Sequence, residues 1–208
     1  MTQTILVADD HPLFRQAVVM AARAVCPDAE ILEAGTLDMA ARAAAGCATL
    51  ALILLDLKMP GAEGFSGVAL LHAEQPHVPI LVISSAKAPN AIADARRFGA
   101  VGFVGKERDL SVIEQAIADA MNGSALAGPA DPELDAVAQH VASLTPTQLR
   151  VLLGVLAGKL NKQIAYDLGI SEATVKAHMT AIMRKLDVQN RTQAVLAARA
   201  LGLGLDHG

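Results

Sequence analysis

Five short apolar runs alternate with stretches of helical periodicity in the first 121 residues, and this pattern limits the possible folds more than any other feature. The apolar runs cover residues 4–8, 30–34, 50–56, 80–84 and 101–105. Apolar residues recur at steps of three and four in the stretches that follow them, 12–25, 36–45, 65–75, 90–98 and 109–121. Strands and helices that alternate in this way form right-handed βαβ units. The pattern predicts an α/β domain with a doubly wound, five-stranded parallel sheet.

The rest of the chain has a different pattern. Residues 122–133, NGSALAGPADPE, are rich in Gly, Pro and Ala, which is typical of a linker. After them only helical periodicity is found, over 134–142, 145–157, 161–168, 172–186 and 192–202. We therefore predict three parts: an α/β domain over 1–121, a linker with a short helix over 122–143, and a small all-α domain over 144–208.

Charge is distributed unevenly between these parts. Residues 1–143 contain nine Lys or Arg and 17 Asp or Glu, which gives −8, whereas residues 144–208 contain eight and four, which gives +4. This asymmetry suggests that only the second half meets a polyanion.

Several features of the sequence indicate a cytoplasmic protein with no membrane partner. No apolar run reaches the ~18 residues that a transmembrane helix needs. The first residues, MTQTILVADD, lack the basic segment of a signal peptide. Cys26 and Cys47 have no metal-ligand spacing around them, so we expect free thiols in a reducing compartment.

Polar residues stand at the carboxyl ends of four predicted strands, where ligands gather in open parallel sheets. They are Asp9, Asp10, Asp56, Ser84 and Lys106. Converging carboxylates repel each other and require a cation, and oxygen ligands with room for water suit Mg²⁺. A carboxylate beside Mg²⁺ can act as a nucleophile towards phosphorus, with the lysine balancing charge and the serine donating to a phosphoryl oxygen. Strand-end acids can also simply cap helices, but five such residues favour a phosphoryl site.

The second half contains a helix-turn-helix pattern. Thr145 to Gln148 reads TPTQ, a capping box with Pro at the first helical position. Gly169 makes the turn between two later helices, and Ser171 caps the second of them. This second helix has an apolar face of Val175, Met179, Ile182 and Leu186.

A polar and basic stripe lies on another face of the same helix. Lys176, Thr180 and Arg184 recur at steps of four, with Thr174, His178 and Lys185 beside them and the small Ala177 between. A helix of this kind can lie in the major groove of DNA. A solvated face of an ordinary helical bundle is the alternative, but the turn pattern and the positive charge favour DNA.

Four segments of the first domain, VADDHPLFRQ, LLDLKMPGAEG, VISSA and GFVGK, resemble the signature segments of response-regulator receiver domains. The resemblance covers essentially all of 1–121 and implies the flavodoxin-like receiver fold. It implies that Asp56 accepts a phosphoryl group from a histidine kinase. It further implies Mg²⁺ held by Asp9, Asp10, Asp56 and the backbone carbonyl of Lys58, with Ser84 and Phe103 as the switch residues.

Residues 144–202 resemble the LuxR-type helix-turn-helix domain, and both domains together resemble the NarL/FixJ group of transcriptional regulators. This resemblance implies base contacts through Lys176, Ala177 and Thr180 and phosphate contacts through Asn161, Lys162 and Arg184. Thr174 and His178 complete the predicted DNA surface. The final helix would form a dimer contact through Val195, Ala198 and Leu201.

Three residues depart from these families. Glu107 follows Lys106 where many receivers have Pro, and Thr147-Gln148 stands where LuxR-type domains usually have Arg-Glu, so a common internal ion pair is lost.

The resemblances imply a response regulator whose partners are a histidine kinase, double-stranded DNA and a second copy when phosphorylated or on DNA. It would not be an enzyme beyond its own Mg²⁺-dependent phosphorylation and dephosphorylation. We expect the unphosphorylated receiver to cover residues 176–184 or to block the last helix. A haloacid-dehalogenase phosphatase needs an acid where Lys58 stands, and a P-loop nucleotidase needs a different glycine spacing. A degenerate receiver that acts without phosphate remains the alternative.

Overall fold

The computed structural model describes residues 2–85, 91–124, 140–141, 143–200 and 202–203. The predicted linker and its helix over 134–142 lie mostly outside these described residues.

A single parallel sheet organises the first half of the chain. Its strands are β1 Thr4–Ala8, β2 Glu30–Ala34, β3 Leu50–Leu55, β4 Ile80–Ser84 and β5 Ala100–Gly105. Their order is β2-β1-β3-β4-β5, with every neighbouring pair parallel. This topology confirms the predicted doubly wound, flavodoxin-like sheet.

In the part of the chain that the structure describes, the two faces of the sheet are covered by α1 Pro12–Val25, α2 Leu37–Gly46, α3 Ser66–Glu74, α4 Ala91–Arg97 and α5 Leu110–Met121. Helices α1 and α5 pack together over one face, and α2 and α3 over the other. Alternate residues of β1 enter opposite cores, Ile5 with the α1–α5 side and Leu6 with the α2–α3 side. A strand buried on both faces needs an apolar sequence, as residues 5–8 of β1 and the whole of β3 have.

Among the described residues of the second half, the helices are α6 Pro146–Leu156, α7 Asn161–Leu168, α8 Glu172–Lys185 and α9 Arg191–Ala200. The predicted capping box is present, since Gln148 N–H donates to Thr145 Oγ1 at 3.3 Å and Thr145 N–H donates to Gln148 Oε1 at 3.1 Å. Gly169 takes a left-handed conformation with φ of 65° between α7 and α8. The predicted apolar face of α8, from Val175 to Leu186, is buried. Across the described residues, no helix has both the length and the apolar character to span a bilayer.

Gly99 fixes the turn between α4 and β5. Its φ is +100°, and a Cβ atom there would lie 2.6 Å from Cγ of the His72 ring. Burial of that ring, with a smaller contribution from His77, lowers the pKa of His72 below its usual value.

We expect Gly99→Ala to lower the free energy of unfolding by about 1–3 kcal/mol. Alanine is strained at a positive φ, and its methyl group would clash with the His72 ring. Gly46→Ala is the matched control, since a Cβ at this helical position would meet no heavy atom of the described residues within 4 Å. Chemical denaturation of both variants measures the difference. Equal stability of the two variants would contradict the steric role of Gly99.

Candidate functional site

The carboxyl ends of β1, β3, β4 and β5 bring the predicted polar residues to one edge of the sheet. Asp9 follows β1, Asp56 follows β3, Ser84 is the last residue of β4 and Lys106 follows β5. The backbone continues the sheet at this edge, since the Asp56 N–H donates to the Ala8 carbonyl at 2.9 Å. Asp9, Asp56 and Ser84 are all buried.

Asp56 is the centre of this group. The Ser84 hydroxyl donates to its Oδ1 at 2.8 Å, and the Lys58 backbone N–H donates to the same oxygen at 3.1 Å. Lys106 Nζ donates to Oδ2 at 2.7 Å. The residue is only 2% exposed, so these donors replace most of the water that a carboxylate would otherwise bind.

Lys106 is shared between two carboxylates. Its Nζ lies 2.6 Å from Asp9 Oδ2 and 2.7 Å from Asp56 Oδ2, and it also lies 4.6 Å from the centre of the Phe14 ring. The ammonium group thereby holds the ends of β1, β3 and β5 together. One lysine cannot balance all the acids of this edge, because Asp10 adds a third carboxylate.

The acids at this edge fit a divalent cation. Ligand atoms of Asp9, Asp10, His11 and Asp56 all lie within 4.8 Å of one another. Oδ1 of Asp10 is buried without a hydrogen-bond partner among the described residues. His11 Nδ1 lies 2.6 Å from this oxygen and forms an ion pair with it when the imidazole is protonated. Three carboxylates with one such oxygen are compatible with Mg²⁺.

Sequence reasoning missed three residues around these acids. His11 N–H donates to Asp9 Oδ1 at 2.8 Å, Arg15 Nη1 donates to the Asp9 carbonyl at 2.6 Å, and Phe14 lies against Lys106. These residues could have been found from their place in the sequence, just after Asp9 and Asp10. A helix that begins at Pro12 directs the side chains of its first turns back towards the end of β1.

Phe103, the predicted aromatic switch residue, lies on β5 opposite Val82 of β4. It is partly buried and lines a groove of about 690 Å³ between β5 and α5. Ser84 stands two residues beyond Val82 on the same strand and pairs with Gly105. The two predicted switch residues therefore lie on paired strands.

The predicted DNA-reading face of α8 is open to solvent. Lys176 has 66% of its side chain exposed, Thr174, Ala177, Thr180 and Arg184 are exposed, and His178 is partly exposed. The expectation that the receiver covers residues 176–184 is therefore wrong for this conformation. The receiver instead contacts α6 and the segment after α9.

The predicted phosphate-contact residues lie at the beginning of α7. Lys162 is exposed, whereas Asn161 is half-buried and its Oδ1 accepts a hydrogen bond from Arg191 Nη1 at 2.8 Å. Arg191 Nη2 also donates to the Lys159 carbonyl at 2.6 Å. Arg191 was not singled out from the sequence, and it ties α9 to the beginning of α7.

Lys185 corrects one detail of the predicted basic stripe. Its Nζ turns inward and donates to the Ser143 carbonyl at 2.5 Å and to Gln148 Oε1 at 2.9 Å. Gln148 therefore joins α6 to α8 through a hydrogen bond from a charged donor.

We expect Gln148→Leu to lower the free energy of unfolding of the second domain by about 1–3 kcal/mol. The variant removes the side-chain acceptor of the Thr145 N–H and one of the two acceptors of the Lys185 ammonium. Gln148→Glu keeps the acceptor and adds the opposite charge, so its stability should equal or exceed that of the wild type. Thermal unfolding followed by circular dichroism distinguishes the two variants. A Leu variant as stable as the Glu variant would show that the acceptor has no role.

The predicted dimer contact on the last helix needs correction. Ala198 is 0% exposed because it packs into the core of the second domain, and Val195 is half-buried against that core. Leu201 lies outside the described residues. The large apolar side chain that α9 presents to solvent is Leu196, which is 62% exposed.

The first half of the chain has a buried aspartate that accepts hydrogen bonds from a serine and a lysine at the edge of a five-stranded parallel sheet. A helix-turn-helix unit follows it. These features define the class of protein as a receiver domain joined to a DNA-binding domain. Comparison with known families agrees. Residues 5–118 match the response regulator receiver domain, and residues 142–198 match the luxR family of bacterial regulatory proteins.

Similar proteins share both domains. The glycerol metabolism activator of Pseudomonas putida is 39% identical over 93% of this chain and 94% of its own length. The nitrate/nitrite response regulator protein NarP of Escherichia coli is 31% identical over 92% of each chain. Full-length FixJ from B. japonicum is similar in structure, with a TM-score of 0.51 and 25% identity over 97% of this chain and 98% of that one.

The chain therefore belongs to the response regulators that carry a LuxR-type DNA-binding domain. One relative, NarP, is a nitrate/nitrite response regulator, and another, FixJ of Azorhizobium caulinodans, is a transcriptional regulatory protein.

Proposed function

We propose that this protein regulates transcription under the control of phosphorylation at Asp56, with a histidine kinase as phosphoryl donor. The observation that carries the proposal is the buried Asp56 carboxylate, which accepts hydrogen bonds from Ser84, Lys58 and Lys106 within 3.1 Å. We assign the receiver to residues 1–121, the linker to 122–143 and the DNA-binding domain to 144–208.

In the proposed reaction, a carboxylate oxygen of Asp56 forms a bond to phosphorus as the bond to the donor's leaving group breaks. Lys106 offsets the added negative charge, and the Ser84 hydroxyl and Lys58 N–H donate to the new phosphoryl oxygens. Asp9, Asp10, Asp56 and the Lys58 carbonyl would hold Mg²⁺, which neutralises phosphoryl charge when bound. Beyond this phosphorylation and its hydrolysis, we assign the protein no enzymatic reaction.

The second domain is proposed to read DNA with α8 in the major groove. The exposed Lys176, Ala177 and Thr180 are assigned to base edges, and Thr174 and His178 flank them. We assign Lys162, Arg184 and Asn161 to phosphate contacts. Asn161 would use its amide nitrogen, because its Oδ1 already accepts a hydrogen bond from Arg191. The +4 charge of residues 144–208 supports this assignment.

Dimer formation on DNA or after phosphorylation is proposed to use the outer face of α9. Val195 is partly exposed there and Leu196 is the large apolar side chain in solvent. Two copies related by a two-fold axis would place their α8 helices in successive major grooves.

The proposed signal passes from Asp56 through Ser84 to Phe103. We expect the Ser84→Ala variant still to accept a phosphoryl group at Asp56. Phosphorylation should not raise its affinity for DNA, because alanine has no hydroxyl that can move to donate to a phosphoryl oxygen. Ser85→Ala is the matched control, since the exposed Ser85 is the next residue along the chain. A gel that separates the phosphorylated from the unphosphorylated protein measures the extent of phosphorylation. A DNA titration with and without the phosphoryl donor measures the gain in affinity. A full phosphate response in Ser84→Ala would contradict this route.

A further inference from the structure

Arg15, near the beginning of α1, connects the end of β1 with β2. Its Nη1 donates to the backbone carbonyl of Asp9 at 2.6 Å, and its Nε donates to Glu33 Oε2 at 2.9 Å. Gln16 Nε2 donates to the same Glu33 oxygen at 3.2 Å. Only 20% of the Arg15 side chain is exposed. Two adjacent residues of α1 thus hold one carboxylate of β2, and this carboxylate in turn fixes the guanidinium of Arg15.

The carbonyl that Arg15 holds belongs to the peptide group between Asp9 and Asp10. A peptide group is planar, so a fixed carbonyl oxygen also restricts the nitrogen and Cα of Asp10. The rest of Asp9 is held as well, since its N–H donates to the Ala34 carbonyl at 3.0 Å and its Oδ1 accepts from the His11 N–H at 2.8 Å. Arg15 therefore supports the backbone from which both carboxylates project.

The chemistry of the arginine side chain suits this place. Its planar guanidinium donates in two directions at once, to the Asp9 carbonyl and to Glu33, whereas a lysine has a single nitrogen. Glu33 also offsets the guanidinium charge, which would otherwise repel a cation that binds beside Asp9 and Asp10. Removal of Arg15 would therefore have two opposite effects on cation binding, because the backbone loses its support and a nearby positive charge is lost.

We infer that Arg15, held by Glu33, is a positioning residue for the divalent-cation site, and that its support of the Asp9–Asp10 peptide outweighs its repulsion of the cation. The inference rests on the cation site of the proposed function. Hydrogen bonds that orient metal ligands contribute to metal affinity, because fewer orientations have to be fixed when the metal binds. Arg15 takes no part in the hydrogen bonds that the described residues make to Asp56, so its loss leaves the nucleophile in place.

Titration of the full chain with Mg²⁺ in a calorimeter, without a phosphoryl donor, tests this role. Arg15→Ala should raise the dissociation constant for Mg²⁺ by roughly 10- to 100-fold, as removal of a group that orients metal ligands usually does. Glu33→Ala should raise it too, because the guanidinium loses its anchor. Arg23→Ala is the matched control, since Arg23 is an exposed arginine in the last turn of the same helix. The control should bind Mg²⁺ as the wild type does.

The signs of these effects separate positioning from electrostatics. If charge alone acted, loss of the Arg15 cation would tighten Mg²⁺ binding and loss of the Glu33 anion would weaken it. Positioning predicts that both variants bind Mg²⁺ more weakly. It also predicts that the double variant loses about as much affinity as Arg15→Ala alone, because Glu33 acts through Arg15. In Arg15→Ala, labelling of Asp56 by acetyl phosphate should need more Mg²⁺ to reach half of its maximal rate, and the rate at saturating Mg²⁺ should equal that of the wild type.

An unchanged or tighter Mg²⁺ affinity in Arg15→Ala would overturn the inference. A labelling rate that stays low at saturating Mg²⁺, with unchanged half-saturation, would overturn it as well, because that result indicates general damage to the fold. Glu33→Ala keeps the test decisive if Arg15→Ala does not fold, since Glu33 is 39% exposed on the edge strand β2. Wild-type Mg²⁺ affinity in Glu33→Ala would also overturn the inference.

The wild type separates this inference from the proposed function. A wild type that binds Mg²⁺ but is not labelled at Asp56 would overturn the proposed function, while the calorimetric titrations still decide the role of Arg15. A wild type that binds no Mg²⁺ would overturn the proposed cation site and the inference with it.

Discussion

Asp56→Asn is expected to abolish incorporation of a phosphoryl group from acetyl phosphate while the protein remains folded. The amide keeps the shape of the carboxylate, and its oxygen can still accept from Ser84 and Lys58. It lacks the negative oxygen that attacks phosphorus, so the reaction has no nucleophile. Lys106 keeps Asp9 as its partner in the variant, since its Nζ lies 2.6 Å from Asp9 Oδ2.

Labelling with acetyl phosphate in the presence of Mg²⁺, read by the mass of the intact protein, measures this effect. Asp38→Asn is the matched control, because Asp38 is an exposed acid on α2 that pairs with Arg42. The control should label as the wild type does. If Asp56→Asn labels to the same extent as Asp38→Asn, the phosphoryl group goes to another residue and the site assignment is wrong.

Lys176→Ala is expected to reduce the affinity for the specific DNA site by about 1–3 kcal/mol, the cost of one base contact. The Lys176 side chain is exposed, and its Nζ lies 3.4 Å from Oε1 of Glu172 in a weak surface ion pair. The substitution therefore disturbs no packing. Binding to random DNA should fall much less, because nonspecific affinity comes from phosphate contacts.

Lys162→Ala provides the contrast. This exposed lysine at the beginning of α7 is assigned to a phosphate, so its loss should weaken specific and random binding equally and reduce the salt dependence of both. Titrations of DNA selected from a random pool, repeated at several salt concentrations, separate the two lysines. Equal losses on specific and random DNA in Lys176→Ala would make Lys176 a backbone contact.

The sequence was sufficient to predict the sheet and the strand-end site because both follow from local patterns. Apolar runs bounded by polar residues mark strands, and in a parallel sheet the residues after them must converge. The structure accordingly places Asp56, Ser84 and Lys106 within hydrogen-bond distance, and strands β1, β2 and β4 begin and end at the predicted residues.

Features that depend on contacts between distant elements were not predictable in this way. Helical periodicity placed Lys185 beside the basic stripe, but its long side chain reaches Ser143 and Gln148 on another element. The resemblance to LuxR-type domains implied that Ala198 lies on a dimer face, although α9 must bury that small residue to pack on its own domain. The position of Leu203 against Gly64 depends on how the two domains meet, which no local pattern records.

The central claim, that phosphorylation of Asp56 controls DNA binding, is tested most directly by titrating the full chain against its selected DNA with and without acetyl phosphate and Mg²⁺. The affinity of the wild type should rise by roughly 5- to 150-fold with the phosphoryl donor, as expected for coupling between two sites. The affinity of Asp56→Asn should not change. An unchanged affinity in a fully labelled wild type, or an equal rise in Asp56→Asn, would contradict the claim.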